Sequence, residues 1–188
     1  MISLKTDRLL LRNFIEDDLF AFCELLNDKE ASPFAAFDRA YPVSRAEQSA
    51  LLSFLCERDD YLAICLPPST RPVGFVSLGE AEGEQGPELG YFVRSQSLGQ
   101  GIAREACAAM LGHAFGQMEF AAVTSSAAAE NEGLRELLAS LGFCENGPAE
   151  AIWLRSDPIS GQPLWFMGQD YILRREDWLR VAGLAFPF

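Results

Sequence analysis

The sequence predicts a mixed α/β fold, with antiparallel hairpins early in the chain and a crossover late. Two apolar runs, Tyr61-Leu-Ala-Ile-Cys-Leu66 and Val73-Gly-Phe-Val-Ser-Leu78, flank a turn marked by Pro67-Pro68 and Arg71-Pro72. A third run, Glu88-Leu-Gly-Tyr-Phe-Val93, leads through a glycine turn into an amphipathic stretch at 102–115. Strand, turn and helix in that order, late in a chain that opens with hairpins, describe an α/β domain. The 188 residues are most simply one domain, 1–188, large enough for a real core.

The elements follow in order. Arg8-Leu-Leu-Leu-Arg-Asn-Phe14 reads as a first strand. Glu16-Asp-Asp18 starts a first helix with acids in its first turn, and Leu19, Phe22, Cys23, Leu25 and Leu26 give it an apolar face. Residues 28–42 carry Pro33 and Pro42 and have no period, so they read as a loop. Its Phe34, Phe37 and Tyr41 either line a pocket or tuck onto the core. Ser44 caps a second helix, with Glu47 completing a capping box. The strand pair above comes next, then an acidic glycine-rich hairpin loop at 79–86. Ala121-Ala-Val-Thr124 is a short strand, and 131–140 a helix with Leu134, Leu137, Leu138 and Leu141 on one face and Gly142 after it. Two strands lie in 144–154 and 168–173, and Arg174-Arg-Glu-Asp-Trp-Leu-Arg180 is a short helix or tail.

A net charge of −12 argues against general nucleic-acid or anionic-membrane binding. It suits a cationic substrate or simple solubility. Five scattered cysteines without C-x-x-C spacing argue against a disulfide framework or a zinc site and suit a reducing cytosol. No apolar run reaches membrane-spanning length, and residues 1–8 lack a signal core, so a cytoplasmic protein without a metal is expected.

Gln96-Ser-Leu-Gly-Gln-Gly-Ile-Ala103 is the most informative stretch. A glycine turn before a helix gathers unpaired N–H groups and the positive end of the helix dipole at one place, which makes an anion site. A P-loop would end Gly-Lys-Ser/Thr, but Ile102 and Ala103 follow Gly101. A dinucleotide fingerprint would place a small residue where Arg104 stands. Gln96-x-x-Gly99-x-Gly101 instead resembles the Q/R-x-x-G-x-G/A signature of the GNAT superfamily of acyl-CoA-dependent N-acyltransferases. Glu88-Leu-Gly-Tyr-Phe-Val resembles that family's fourth strand, and Asn131 with Leu137-Leu-Ala-Ser-Leu-Gly-Phe143 resembles its fifth-strand-to-helix segment. Thr6-Asp-Arg-Leu-Leu-Leu-Arg12 and Tyr171-Ile-Leu-Arg-Arg-Glu-Asp-Trp178 resemble the two ends of the subgroup that acetylates ribosomal-protein N-termini.

The resemblance implies a twisted, mostly antiparallel sheet of about seven strands, splayed at its fourth and fifth, with helices on both faces. It implies acetyl transfer from acetyl-CoA to a primary amine, with a protein or peptide N-terminus favoured over a small amine, by a monomer or homodimer. The turn of Gln96, Leu98, Gly99, Gln100, Gly101, Ile102 and Ala103 would hold the coenzyme A pyrophosphate. The backbone of Phe92, Val93 and Arg94 would pair with the pantetheine arm and supply the oxyanion donor. Asn131 would bond the pantetheine or acetyl end. Arg94 and Arg104 either meet phosphates or are solvated. Glu88 would be the general base, its pKa raised by burial, or else a strand-edge residue. The family's usual acid positions hold Leu134 and Leu138, which keeps open a non-catalytic acyl-CoA-binding module. A nucleotide-binding protein is a more distant alternative. His113 and Cys107 read as structural.

Overall fold

The computed structural model of the protein describes residues 2–80 and 85–185. They form two compact units, residues 2–78 with 90–110, and residues 79–80 and 85–89 with 111–185.

In the first unit, β1 (Ser3–Lys5), β2 (Leu10–Asn13), β3 (Tyr61–Cys65), β4 (Pro72–Leu78) and β5 (Leu89–Val93) make a sheet in simple sequential order. The opening segment departs from the single strand expected at 8–14. Thr6 and Leu9 close a tight turn, with Leu9 N–H donating to Thr6 Oγ1 at 2.9 Å and Thr6 N–H to Leu9 O at 3.0 Å. That puts Arg8 in a turn rather than a strand. β1 escaped detection because Ser3 and Lys5 are exposed and break the apolar alternation.

Two helices cover this sheet's core, α1 (Leu19–Glu30) and α2 (Arg45–Cys56). Ser44 caps α2 as expected, its Oγ accepting from Glu47 N–H at 3.3 Å. The Glu47 carboxylate takes the Ser44 hydroxyl instead of the cap's N–H, so the box closes side chain to side chain. Phe14, Phe22, Leu26, Leu52, Ala63 and Phe75 form the core, with Phe14 edge-on to Phe22 at 5.3 Å.

In the second unit, β6 (Ala122–Ala128) pairs with the long β9 (Pro163–Arg174), and β7 (Cys144–Glu145) and β8 (Glu150–Ser156) pair with β9, all antiparallel. Here three strands replace the two expected after residue 143. Gly147, at φ 96°, and Pro148 interrupt the run, and β9 begins at Pro163, well before the expected 168. The short β1 and β7 account for a total of nine strands among the described residues against about seven anticipated. Glu88 and Thr124 make an isolated parallel bridge, backed by Thr124 N–H to Pro87 O at 2.9 Å and Ser125 Oγ to Leu89 O at 3.1 Å. α4 (Glu132–Ser140) ends at Gly142, whose φ of 92° fits the expected cap, and α5 (Arg175–Ala185) follows β9 directly.

α3 (Ile102–Gly116) runs from one unit into the other, burying Ile102, Ala106, Cys107, Met110, Leu111, Ala114 and Phe115 at helical spacing. The expected acidic loop falls mainly on residues 81–84, outside the described residues.

Phe22 is fully buried against Phe14. Phe22→Ala is expected to cost about 3–5 kcal/mol. Urea unfolding followed by circular dichroism should show a lower midpoint at unchanged slope.

Candidate active site

The glycine turn is built as an anion site. After β5, residues 95–97 make one 3-10 turn, and Gly99 and Gly101 take left-handed φ of 74° and 75°. The turn uses two of its own donors, Ser97 N–H to Arg94 O at 2.8 Å and Leu98 N–H to Ser95 O at 3.3 Å. The N–H groups of Gly99, Gln100, Gly101, Ile102 and Ala103 donate to no acceptor among the described residues. Gln96 N–H, inside the 3-10 turn, is without an acceptor among the described residues too, but the five from Gly99 onward are consecutive. They lie at the start of α3, where the helix dipole adds positive potential. Gly99, Gln100 and Gly101 are exposed, and a Cβ on Gly99 would meet nothing within 4 Å, so a ligand can reach this backbone.

Side chains hold the turn from two directions. On α1, Glu24 and Asp28 stand four residues apart on one face. Glu24 pairs with both Arg94 and Arg71, and the Arg94 guanidinium holds its carboxyl below the ordinary value. Asp28 accepts from Ser95 N–H at 2.7 Å and from Ser95 Oγ at 2.9 and 3.1 Å. On the other side, Glu105 in the first turn of α3 binds the β1–β2 turn. It accepts from Thr6 Oγ1 at 2.5 Å, Arg8 N–H at 3.1 Å and Arg8 Nε at 2.7 Å. Arg8 Nη1 then donates to Gln100 O at 2.9 Å. Burial pushes the Glu105 carboxyl up, but the bonds from Thr6 and Arg8 outweigh it and hold it below the ordinary value.

The strand ahead of the turn is shaped by a neighbour that sequence reading passed over. A Cβ on Gly74 of β4 would lie 2.3 Å from Phe92 O and 3.1 Å from Val93 Cα. Only a glycine lets β5 carry its Phe92 carbonyl this close. Arg94 N–H donates to Val73 O at 2.9 Å, so it is already used. Arg94 is likewise committed to Glu24, and Arg104 is exposed.

The loop aromatics divide. Tyr41 packs on Phe75 at 6.3 Å and joins the core, whereas Phe34 is exposed and pairs with Phe37 at 6.5 Å. Lys29, ion-paired with Asp38, holds its Nζ 5.3 Å from the Tyr41 ring centroid and 5.6 Å from that of Phe92.

Two expected site residues belong to the second unit. Glu88 is exposed, as the strand-edge alternative has it, and not buried as a base in that position was expected to be. It stands just ahead of β5 and contributes one bridge to Thr124, while its neighbour Leu89 takes the buried position. Asn131 is the N-cap of α4, its Oδ1 accepting from Leu134 N–H at 3.2 Å. Its Nδ2 has no acceptor among the described residues. Leu138 is fully buried and Leu134 half-buried, so the usual acid positions are filled by packing side chains. All five cysteines are free thiols. Cys107 is buried and its thiol is pushed up by that burial, and His113 is buried too, in keeping with structural roles. Among the described residues, no group of three or more His, Cys, Asp or Glu is arranged to hold a metal ion, and no helix is long and apolar enough to cross a membrane.

Comparison with known proteins bears on the same elements. Residues 8–144 match the family model of the acetyltransferase (GNAT) domain. No curated protein matches in sequence. Among solved structures the chain is similar to a GNAT-family acetyltransferase from Bacillus anthracis, with a TM-score of 0.76 and 19% identity over 93% of this chain and 99% of that one. It is similar to the ribosomal-protein-S5-alanine acetyltransferase from Vibrio fischeri, with a TM-score of 0.77 and 16% identity over 95% and 99% of the two chains. An acetyltransferase from Agrobacterium tumefaciens gives a TM-score of 0.68 and 20% identity over 93% and 95%. At these identities the likeness is one of fold.

Two outcomes are expected. Gly74→Ala should force Phe92 and Val93 away from β4, lowering the melting temperature and weakening any ligand carried by that backbone, as calorimetry would read. The depressed Glu105 pKa makes a stability contribution that is complete above the ordinary glutamate value of about 4.3 and lost as pH falls through the folded value. Glu105→Gln should flatten that acid limb in urea titrations across pH.

Proposed function

The chain belongs to the GNAT acetyltransferase family, and from that premise we propose that it moves the acetyl group of acetyl-CoA onto a primary amine. The observation that carries the reading is the run of N–H groups from Gly99 to Ala103, left without acceptors at the start of α3. A pyrophosphate supplies the acceptors such a run lacks. The site residues follow from the resemblance. Gln96, Gly99, Gln100, Gly101, Ile102 and Ala103 hold the pyrophosphate, Leu98 lining the turn with its N–H taken by Ser95. Phe92 and Val93 carry the pantetheine arm and face the reacting carbonyl with their backbone, Arg94 N–H being taken by Val73. The free Nδ2 of Asn131 serves the pantetheine or acetyl end.

Glu88 is the general base. Exposed, it works through water: the acceptor ammonium loses its proton to a water chain ending on the carboxylate, and the neutral amine attacks the thioester carbon. A backbone N–H stabilises the oxyanion. The attacking nitrogen gives its second proton to water, the carbon–sulfur bond breaks, and the departing thiolate takes a proton back from water, because the thiol pKa of about 8.5 makes it a good leaving group. Leu134 and Leu138 therefore need no replacement as acids. The favoured acceptor is a protein or peptide N-terminus, supported by the ribosomal-protein-like features at both ends of the chain and by the fold of the Vibrio fischeri enzyme. The free thiols suit a cytoplasmic setting. The buried Leu138 also supports a second reading, an acyl-CoA-binding module without turnover.

Acetyl-CoA at a hundredfold excess over Kd should stabilise the protein by about 2.7 kcal/mol in a thermal titration. Absence of a shift would remove both readings. Thiol release with N-terminal peptides or small amines separates enzyme from module. Glu88→Gln should lower kcat while leaving coenzyme A affinity intact, and an unchanged kcat would remove Glu88 as the base.

A further inference from the structure

The five free N–H groups of the turn are neutral donors, yet a pyrophosphate brings charge. Arg94 is bound to Glu24, and Arg104 is exposed on α3. A cation bound directly to the turn is Arg8. Its Nη1 is 2.9 Å from Gln100 O, and its Nη2 is 3.4 Å from where a Cβ on Gly101 would stand. A guanidinium has five N–H donors in a rigid plane. Arg8 gives Nε and one Nη2 hydrogen to Glu105 Oε2, at 2.7 and 2.6 Å, and one Nη1 hydrogen to Gln100 O. One hydrogen on each Nη remains without an acceptor among the described residues. The side chain is 52% exposed.

From this geometry we propose that Arg8 is a pyrophosphate-binding residue, a cationic fork on the β1–β2 turn that closes on the anion held by the N–H groups of Gly99–Ala103. The assignment rests on the proposed acetyl-CoA reading and adds to it a residue from outside the glycine motif. Two parallel N–H donors match two phosphate oxygens. Glu105 holds the fork by its Nε edge, fixing its plane while leaving those two Nη hydrogens to the ligand. The same carboxylate offsets part of the Arg8 charge. Arg8 and Glu105 thus act on the anion with opposite sign, which distinguishes binding from mere bracing of the loop.

Isothermal titration with coenzyme A, dephospho-coenzyme A and pantetheine tests this. Arg8→Gln should weaken coenzyme A and dephospho-coenzyme A alike by about tenfold, the scale of a charge-assisted bond, and leave pantetheine unchanged. Arg8→Lys, which keeps the charge but loses the fork, should fall between. Glu105→Gln, which loosens the tether but frees the guanidinium, should keep or raise coenzyme A affinity. Raising the salt concentration should narrow the gap between wild type and Arg8→Gln. The proposal is overturned if Arg8→Gln binds coenzyme A like wild type, or if Glu105→Gln weakens binding as much as Arg8→Gln does. A loss confined to coenzyme A, sparing the dephospho form, would overturn the pyrophosphate assignment in favour of the 3′-phosphate. Wild-type protein that binds no coenzyme A would instead sink the underlying reading. Circular dichroism of each variant checks that it is folded.

Discussion

One carboxylate joins the β1–β2 turn to the helix that follows the glycine turn. Glu105 accepts from Thr6 Oγ1, Arg8 N–H and the Arg8 guanidinium, and so ties the β1–β2 turn to the first turn of α3. A loop that must present N–H groups to a ligand cannot use those groups to hold itself. Its order has to come from side chains and from its carbonyls. That is how it is held here, by Arg8 on Gln100 O, by Asp28 on Ser95, and by Glu24 on Arg94. The donors from Gly99 onward are left unpaired because the neighbouring contacts make them unnecessary for folding.

The same reasoning explains which parts were legible in the sequence. The glycine turn, the amphipathic α3 and the Ser44 cap are local: each is written within a few consecutive residues whose types dictate their backbone. Arg8 is not local. In an apolar run it reads as a strand residue, and its role follows only from pairing with a carboxylate far along the chain. Gly74 is hidden for a similar reason. It lies inside a run that reads as an ordinary strand, and the need for a glycine comes from the Phe92 carbonyl of the next strand. The signal was present, since a glycine within a strand often marks a close backbone approach.

Glu88 shows where such reading leaves alternatives open. The family likeness picks out the position, but its environment depends on where strand pairing begins. Glu88 makes a single bridge ahead of β5, and alternation hands the buried place to Leu89. In the proposed reaction an exposed base relies on reach and water. The usual acid positions are given to the apolar face of α4, so the proposal passes protons through solvent on both sides.

The overall acidity of the chain opposes an anionic ligand only if charge is counted globally. A net charge of −12 acts through a medium whose screening length is about 8 Å at physiological salt. At the turn the carboxylates are already answered: Glu24 by two arginines, Asp28 by the donors of Ser95, and Glu105 by Arg8 and Thr6. What stands at Gly99–Ala103 is a row of N–H groups, the positive end of α3 and a half-exposed guanidinium. The sign of the site is set by these few groups within one screening length. The remaining acidic surface is left to favour a cationic acceptor, the other substrate of an amine acetyltransferase.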